Sequence, residues 1–216
     1  MFTGIVTDVG KVVGMKPSGR GVQFRIRAPK TSAKLHIGGS VSLNGACHTV
    51  VRRASSVFEV QSVAETLKKT ALRDLRVGSH LNLELPMAVD GRFEGHIVLG
   101  HVDTFGSISA VERNDTGAMV TIAIAHEFSR YVVPVGSIAV DGVSLTVARL
   151  RRDEFTVAII PHTLEHTIFN QYKKGTRVNI EFDILGKYIE RMLDGNRSAA
   201  SASAFPSTAR LKELGF

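Results

Sequence analysis

The chain has 216 residues, 44% hydrophobic, with 20 glycines, one cysteine and a formal net charge of +7. That length and composition suit a folded, turn-rich protein of two small domains. A lone cysteine forbids an internal disulfide, no apolar run approaches the ~18 residues of a membrane span, and the start Met1-Phe-Thr-Gly-Ile-Val6 lacks the charged region of a signal peptide. The expected setting is therefore a reducing cytoplasm. The basic residues come in scattered pairs such as Arg52-Arg53 and Lys173-Lys174 without interleaved aromatics. They read as a solvated surface rather than a nucleic-acid face.

Residues 1–15 alternate loosely and predict a strand, closed by the turn cluster Lys16–Gly21. Strict alternation from Val22 to Arg27 sends Val22, Phe24 and Ile26 to a core, and Pro29 stops it. A helical turn over 31–37, opened by Thr31 or Ser32, precedes a hairpin at 40–51 around Asn44-Gly45, a strand at 57–63, a helix at 65–75 and a strand at 81–85 ended by Pro86. Residues 87–95 read as a linker, with the domain boundary between 90 and 91. The second half repeats the order: a strand from about 97, a strand at 118–125, a helix at 126–133, a hairpin at 137–150, a strand at 154–160, a helix at 162–169 and a strand at 176–183. Many short antiparallel strands separated by turn signals predict a mainly β fold with one small closed barrel per half.

The two halves are copies. Gly39-Ser-Val-Ser-Leu-Asn-Gly-Ala-Cys-His-Thr-Val50 returns 97 positions on as Gly136-Ser-Ile-Ala-Val-Asp-Gly-Val-Ser-Leu-Thr-Val147. At the same offset Phe58 meets Phe155, Thr66-Leu67 meets Thr163-Leu164, and Asn82-x-Glu84 meets Asn179-x-Glu181; one position shorter, Gly4-Ile-Val meets Gly100-His-Val. A period of this length is that of a domain, not of a solenoid unit. The segment from Ile184 differs from both copies: Ile184, Leu185, Tyr188, Ile189, Met192 and Leu193 form one apolar stripe of a helix over 184–197, expected to drive oligomerisation and to end at Gly195-Asn196. The Ser/Ala-rich tail 198–216 is expected to be disordered.

Several residue types could carry chemistry. His162-Thr-Leu-Glu165-His166 matches an H-x-x-E-H zinc pattern, but its repeat mate Glu65-Thr-Leu-Lys-Lys69 has neither histidine, so no metal is expected. His96 and His101, five apart, fall on opposite faces of a strand; one is expected to be structural, and His101 beside Gly100 is the better ligand candidate. Cys47 answers to Ser144, and a site that takes both a thiol and a hydroxyl is more readily lined than packed.

Taken together, Met1-Phe-Thr-Gly-Ile-Val6, Gly95-His-Ile-Val-Leu-Gly-His-Val102, Asp141-Gly-Val-Ser-Leu-Thr-Val147 and Ile160-Pro-His-Thr-Leu164 resemble the riboflavin synthases of the α-chain type over residues 1 to about 195. The resemblance implies two six-stranded Greek-key barrels, each binding one 6,7-dimethyl-8-ribityllumazine. It implies a dismutation in which one lumazine gives a four-carbon unit to the other, yielding riboflavin and a pyrimidinedione, without metal or separate cofactor. It further implies a homotrimer assembled by the C-terminal helix, with reaction centres between subunits, and lumazine synthase as a partner. Carried over by position, Cys47, His101, Ser144 and Asp183 would be catalytic. The first barrel would bind ligand through Gly4, Ile5, Val6, Ser40, Cys47, His48, Thr49, Gln61, Ser62, Val63, Ala64, Glu65 and Thr66. The second would use Gly100, His101, Val102, Val135, Ser144, Leu145, Thr146, Ala158, Ile159, Ile160, Pro161, His162 and Thr163. The chain departs from the family pattern at Val135, where members usually carry Lys, at His48 in place of Leu, and at Leu85-Pro-Met87. The competing reading is a lumazine or flavin carrier on the same scaffold that catalyses nothing.

Overall fold

The computed structural model describes residues 1–202. The first copy supplies β1 (Asp8–Ser18), β2 (Gly21–Arg27), α1 (Pro29–Lys34), β3 (Ser40–Leu43), β4 (Ala46–Arg53), β5 (Val57–Ser62), α2 (Ala64–Lys69) and β6 (His80–Glu84). The second supplies β7 (Thr104–Asn114), β8 (Gly117–Ala123), β9 (Ser137–Val140), β10 (Val143–Arg151), β11 (Glu154–Ile159), α3 (Pro161–His166) and β12 (Arg177–Phe182). Each copy closes into a six-stranded antiparallel barrel, β1-β2-β5-β4-β3-β6 and β10-β11-β8-β7-β12-β9, with the same connectivity.

The pattern that built the strands also fills the barrels. Phe24 and Ile26 of β2 point inward with Phe58 and Val60 of β5, all fully buried, while Arg25 and Arg27 face out. The second core repeats this with Phe155 and Val157. Closure needs bent strands, and bulges supply the bend at matching places: between Val12 and Gly14 and between Val50 and Arg52 in one barrel, between Ile108 and Ala110 and between Val147 and Arg149 in the other.

Three expectations are corrected. The opening strand begins at Asp8, and β7 begins only at Thr104; the segments before them form arms that pair through the single bridge Phe2–Val98. The helices expected at 65–75 and 162–169 each break into a short α-helix and a 3-10 turn, Ala71–Asp74 and Ile168–Gln171. The break falls at Thr70 and Thr167, whose backbones are extended and whose hydroxyls donate to the carbonyls of Thr66 and Thr163, capping the helices with side chains. The helix expected at 126–133 is a 3-10 helix, His126–Tyr131.

The final helix, α4 (Ile184–Ala202), runs past the Gly195-Asn196 stop into the Ser/Ala-rich stretch, where alanine favours continuation. Leu185, Tyr188, Ile189, Met192 and Leu193 are all more than half exposed on this chain. The expectation of disorder from 203 onward lies outside the described residues.

The barrels join back to back about a pseudo-two-fold axis. The turns Asn44-Gly45 and Asp141-Gly142 have φ of 45 and 80, and of 43 and 76, the left-handed pair of a type I′ hairpin. They touch so closely that a Cβ on Gly142 would lie 2.6 Å from Gly45 N. Asn82 and Asn179 cross the seam: Asn82 Nδ2 donates to Asp141 O at 2.9 Å, and Asn179 Nδ2 to Asn44 O at 2.7 Å.

Candidate functional site

The arms decide which residues meet. The arm at residues 1–6 leaves the first barrel and lies on the second: Ser144 N donates to Gly4 O at 2.8 Å, and Val6 packs against the second core. The arm at 96–102 does the reverse. Cys47 N donates to Gly100 O at 2.9 Å, and Val102 packs against the first core. Glycine is required at both crossings, where φ is +79 and +81, because a Cβ on Gly4 would sit 2.6 Å from Ser144 Cβ and one on Gly100 2.5 Å from Cys47 Cβ.

Buried carboxylates pin the arms. Glu84 accepts from Thr3 N at 2.7 Å, Thr3 Oγ1 at 3.0 Å and Gly4 N at 3.1 Å. Glu181 accepts from Leu99 N at 2.6 Å and Gly100 N at 3.0 Å. Burial lifts the Glu84 carboxyl above the ordinary range, against the opposing pull of the amide and hydroxyl donors.

The candidate stretches are therefore grouped crosswise, not barrel by barrel as their order in the chain suggested. A cleft of about 230 Å³ on the first barrel is lined by Ala46, Cys47, Glu65, Thr66, Lys69, Thr70 and, from the other half, Gly100, His101 and Val102. Cys47 and His101 are exposed there, and Lys69 Nζ meets Glu65 Oε1 at 3.1 Å on the rim. Gly4, Ile5 and Val6 belong with Ser144 on the second barrel. By the repeat, α3 brings His162, Thr163 and His166 where α2 brings Glu65, Thr66 and Lys69. The rings of His162 and His166 stack at 4.1 Å, His166 Nδ1 contacts His162 O at 2.8 Å, and among the described residues no cluster of three His, Cys, Asp or Glu could hold a metal.

Ser144 carries a second layer. Its Oγ lies 2.7 Å from His96 Nδ1. His96 is 6% exposed, and its Nε2 is buried among protein atoms without a hydrogen-bond partner. Burial pulls the imidazole below its ordinary pKa, while the nearby Asp183 charge opposes the shift. A neutral imidazole held by a serine and facing a carboxylate can accept or relay a proton near neutrality.

The remaining candidates sort by face. Thr49, Gln61, Val63, Ala64, Thr146, Ala158, Ile160 and Pro161 are exposed, and Ser40, Leu145 and Asp183 are half-buried. Three candidates are corrected. Ile159 is a core residue at 2% exposure. His48 alternates inward from Cys47 and is 4% exposed; its Nδ1 contacts Ala46 O at 2.8 Å and its Nε2 contacts Ser62 Oγ at 2.5 Å, so neither His48 nor Ser62 faces a ligand. Val135 sits 81% exposed in a turn with φ of 62, a conformation its repeat mate Gly38 adopts at φ 83. Sequence reading weighed His96 against His101 and preferred His101 as the ligand residue, and it gave no site role to Glu84, Glu181 or Lys69. The duplicated Asn-x-Glu of β6 and β12 was the available signal for the glutamates, since a repeated acidic residue at an inward position needs a buried partner.

Comparison with known proteins agrees with the duplication. The lumazine binding domain family matches residues 3–86 and again 99–183. A riboflavin synthase of Bacillus subtilis is 41% identical over 193 residues, 89% of this chain and 90% of that protein. One from Mycobacterium tuberculosis is 43% identical over 197 residues, covering 89% and 98%. Among solved structures, LumP complexed with riboflavin superposes with a TM-score of 0.80 at 22% identity over 84% of this chain and 99% of that one, a likeness of fold.

Proposed function

The chain belongs to the riboflavin synthase family, and on that premise we propose that it joins two molecules of 6,7-dimethyl-8-ribityllumazine by transfer of a four-carbon unit. The products are riboflavin and 5-amino-6-ribitylaminopyrimidinedione. The observation that carries this reading is the pair of similar but unlike arm crossings: Cys47 with Gly100, His101 and Val102, which line one cleft, and Ser144 with Gly4 at the matching place on the second barrel.

One lumazine binds in the Cys47 cleft, with His101 and Lys69 at its edge. The other binds beside Ser144. The Ser144–His96 pair, with the Asp183 charge nearby, moves the proton of the reacting lumazine. Cys47 is the exposed thiol next to the other ring. No separate cofactor enters, because donor and acceptor are both substrate. Holding the two rings in register would supply most of the acceleration, for which proximity and orientation can contribute roughly 7–11 kcal/mol.

The apolar face of α4 supports self-association. Five large side chains in water are costly, at about 1.5–3 kcal/mol each when fully buried, and a closed cyclic assembly, a trimer in this proposal, would cover them.

Purified protein incubated with the lumazine should convert it, with one flavin appearing by absorbance for every two lumazines consumed. Tight binding with no flavin formed over hours would make the protein a carrier and end the proposal.

A further inference from the structure

The buried hydrogen bonds at the centre of the seam are matched between the copies, including Asn82 N to Asn44 Oδ1 at 2.7 Å and Asn179 N to Asp141 Oδ1 at 2.7 Å, save for one. Gly45 faces Gly142, and Asn82 mirrors Asn179 down to the amides each carbonyl oxygen accepts: Ile168 N to Asn82 Oδ1 at 2.9 Å, Ala71 N to Asn179 Oδ1 at 2.6 Å. The exception joins two positions at once. The first copy has Asn44 and Leu75; the second has Asp141 and Tyr172, 2% and 5% exposed. The Tyr172 hydroxyl donates to Asp141 Oδ2, and Asn179 N donates to Asp141 Oδ1 at 2.7 Å.

Asp141 sits where three elements of the second barrel are tied. Its turn leads into β10, which carries Ser144. Its Oδ1 holds β12, which leads to Asp183 and also carries Glu181, the anchor of Leu99 and Gly100 at the Cys47 cleft. Through Tyr172 it holds the chain that follows α3, which carries His162 and Thr163. Its carbonyl oxygen accepts Asn82 Nδ2 from the other barrel at 2.9 Å.

We infer that Asp141 and Tyr172 are positioning residues for the second pocket, and that the ionised Asp141 carboxylate, accepting both donors, sets the Ser144 hairpin so that turnover falls when the carboxylate takes up a proton. The inference rests on the riboflavin synthase reading for its turnover readout.

A cavity of about 230 Å³ opens on the seam and gives the pair a route to solvent. The titratable and charged groups that line it with Asp141 and Tyr172 are Asp74, His80 and Arg177; Asp74 and Arg177 neutralise each other at 3.2 Å. The groups on the other packed faces, Asn44, Asn82 and Asn179, are neutral amides. Burial pushes the Asp141 carboxyl up to about 7 against the two hydrogen bonds it receives, and pushes the Tyr172 phenol well above its ordinary value, so the tyrosine stays protonated and the aspartate titrates. The raised acid also fixes a sign: the stability that protonated Asp141 contributes is lost as pH rises from the ordinary carboxylate range to about 7, and the loss levels off above that. Turnover and stability should therefore run in opposite directions as pH approaches 7, with stability flat above it.

The test measures kcat, KM and Tm from pH 5.5 to 8.5 on the full-length wild type, Asp141→Asn and Tyr172→Phe. The wild type is expected to gain kcat with a midpoint near neutrality and to lose Tm up to the same pH, above which Tm levels off. Asp141→Asn, which copies Asn44, should lose both limbs; Tyr172→Phe, which removes a donor to the carboxylate, should move both upward. His96 titrates below its ordinary value and so gives a separate limb at lower pH. A kcat limb near 7 that survives in Asp141→Asn, or fails to move in Tyr172→Phe, overturns the inference. Should no variant nor the wild type form flavin, the synthase reading fails instead, and the same pH series read by lumazine fluorescence titration decides the inference: affinity independent of both substitutions overturns it.

Discussion

The crossing of the arms can be broken with one methyl group. In Gly100→Ala the new Cβ would stand 2.5 Å from Cys47 Cβ and 3.0 Å from both Cys47 N and the Phe2 ring, at φ +81. The left-handed backbone costs an alanine about 1–2 kcal/mol. Overpacking against a barrel wall adds roughly 1–3 kcal/mol, and displacement of the carbonyl that accepts Cys47 N removes a hydrogen bond worth about 1 kcal/mol. The sum is about 3–6 kcal/mol, or roughly 6–24 °C in Tm for a unit of this size. The alternative is that the arm lifts away, which leaves the buried Glu181 carboxylate without Leu99 N and Gly100 N. Gly19→Ala is the control: φ is +59 with nothing within 4 Å, so it bears the backbone cost alone. Urea unfolding of the three proteins gives the difference, and fluorescence titration shows which pocket suffers. Gly100→Ala should weaken lumazine binding in the Cys47 cleft of the first barrel although Gly100 belongs to the second repeat. Equal stability of Gly100→Ala and Gly19→Ala with unchanged affinity would refute the crossed arrangement.

Two further outcomes follow from the site. His96→Gln should lower kcat at least tenfold, about 1.4 kcal/mol of barrier, and erase the acid limb of the pH profile; in the wild type that limb lies below the ordinary histidine range, since burial lowers the folded pKa and activity is lost as pH falls through it. Val135→Gly should raise stability by about 1 kcal/mol in urea melts, because it relieves a β-branched residue at φ 62 and copies Gly38.

Much of the fold could be read from local signals. Asn44-Gly45 and Asp141-Gly142 announced their hairpins because few other pairs tolerate two consecutive positive φ values. The alternation at Val22–Arg27 announced which face of β2 is buried. The repeat then implied that whatever one half forms, the other forms too, and the two barrels share one strand order. The arms were illegible for a physical reason. Their only strand-like pairing is Phe2 with Val98, and their course is set by hydrogen bonds to Glu84 and Glu181 some eighty residues away. Strand parity consequently gave a right result on a wrong ground for His96 and His101. They do serve different places, one at Ser144 and one in the Cys47 cleft, but the segment between them is not a strand whose faces could separate them.

What differs between the copies bears on what the copies do. The residues that tie the arms and the hairpins are invariant: Gly45 and Gly142, Asn82 and Asn179, Glu84 and Glu181 keep their identities and matching bonds. The cleft is not. Cys47 stands where Ser144 does, Ile5 where His101 does, Glu65 where His162 does and Lys69 where His166 does. Packing alone cannot have driven those changes, since Cys47, His101, Glu65, Lys69, His162, His166 and Ile5 are all exposed. Storage of two identical ligands would favour two identical walls, each as good as the better of the pair. A reaction in which one lumazine gives four carbons and another receives them needs the same ring held twice in different protonation environments, which requires a common scaffold and unlike surfaces. The crossed arms suit both requirements, because each barrel receives against its Cys47 or Ser144 wall an arm from the other copy.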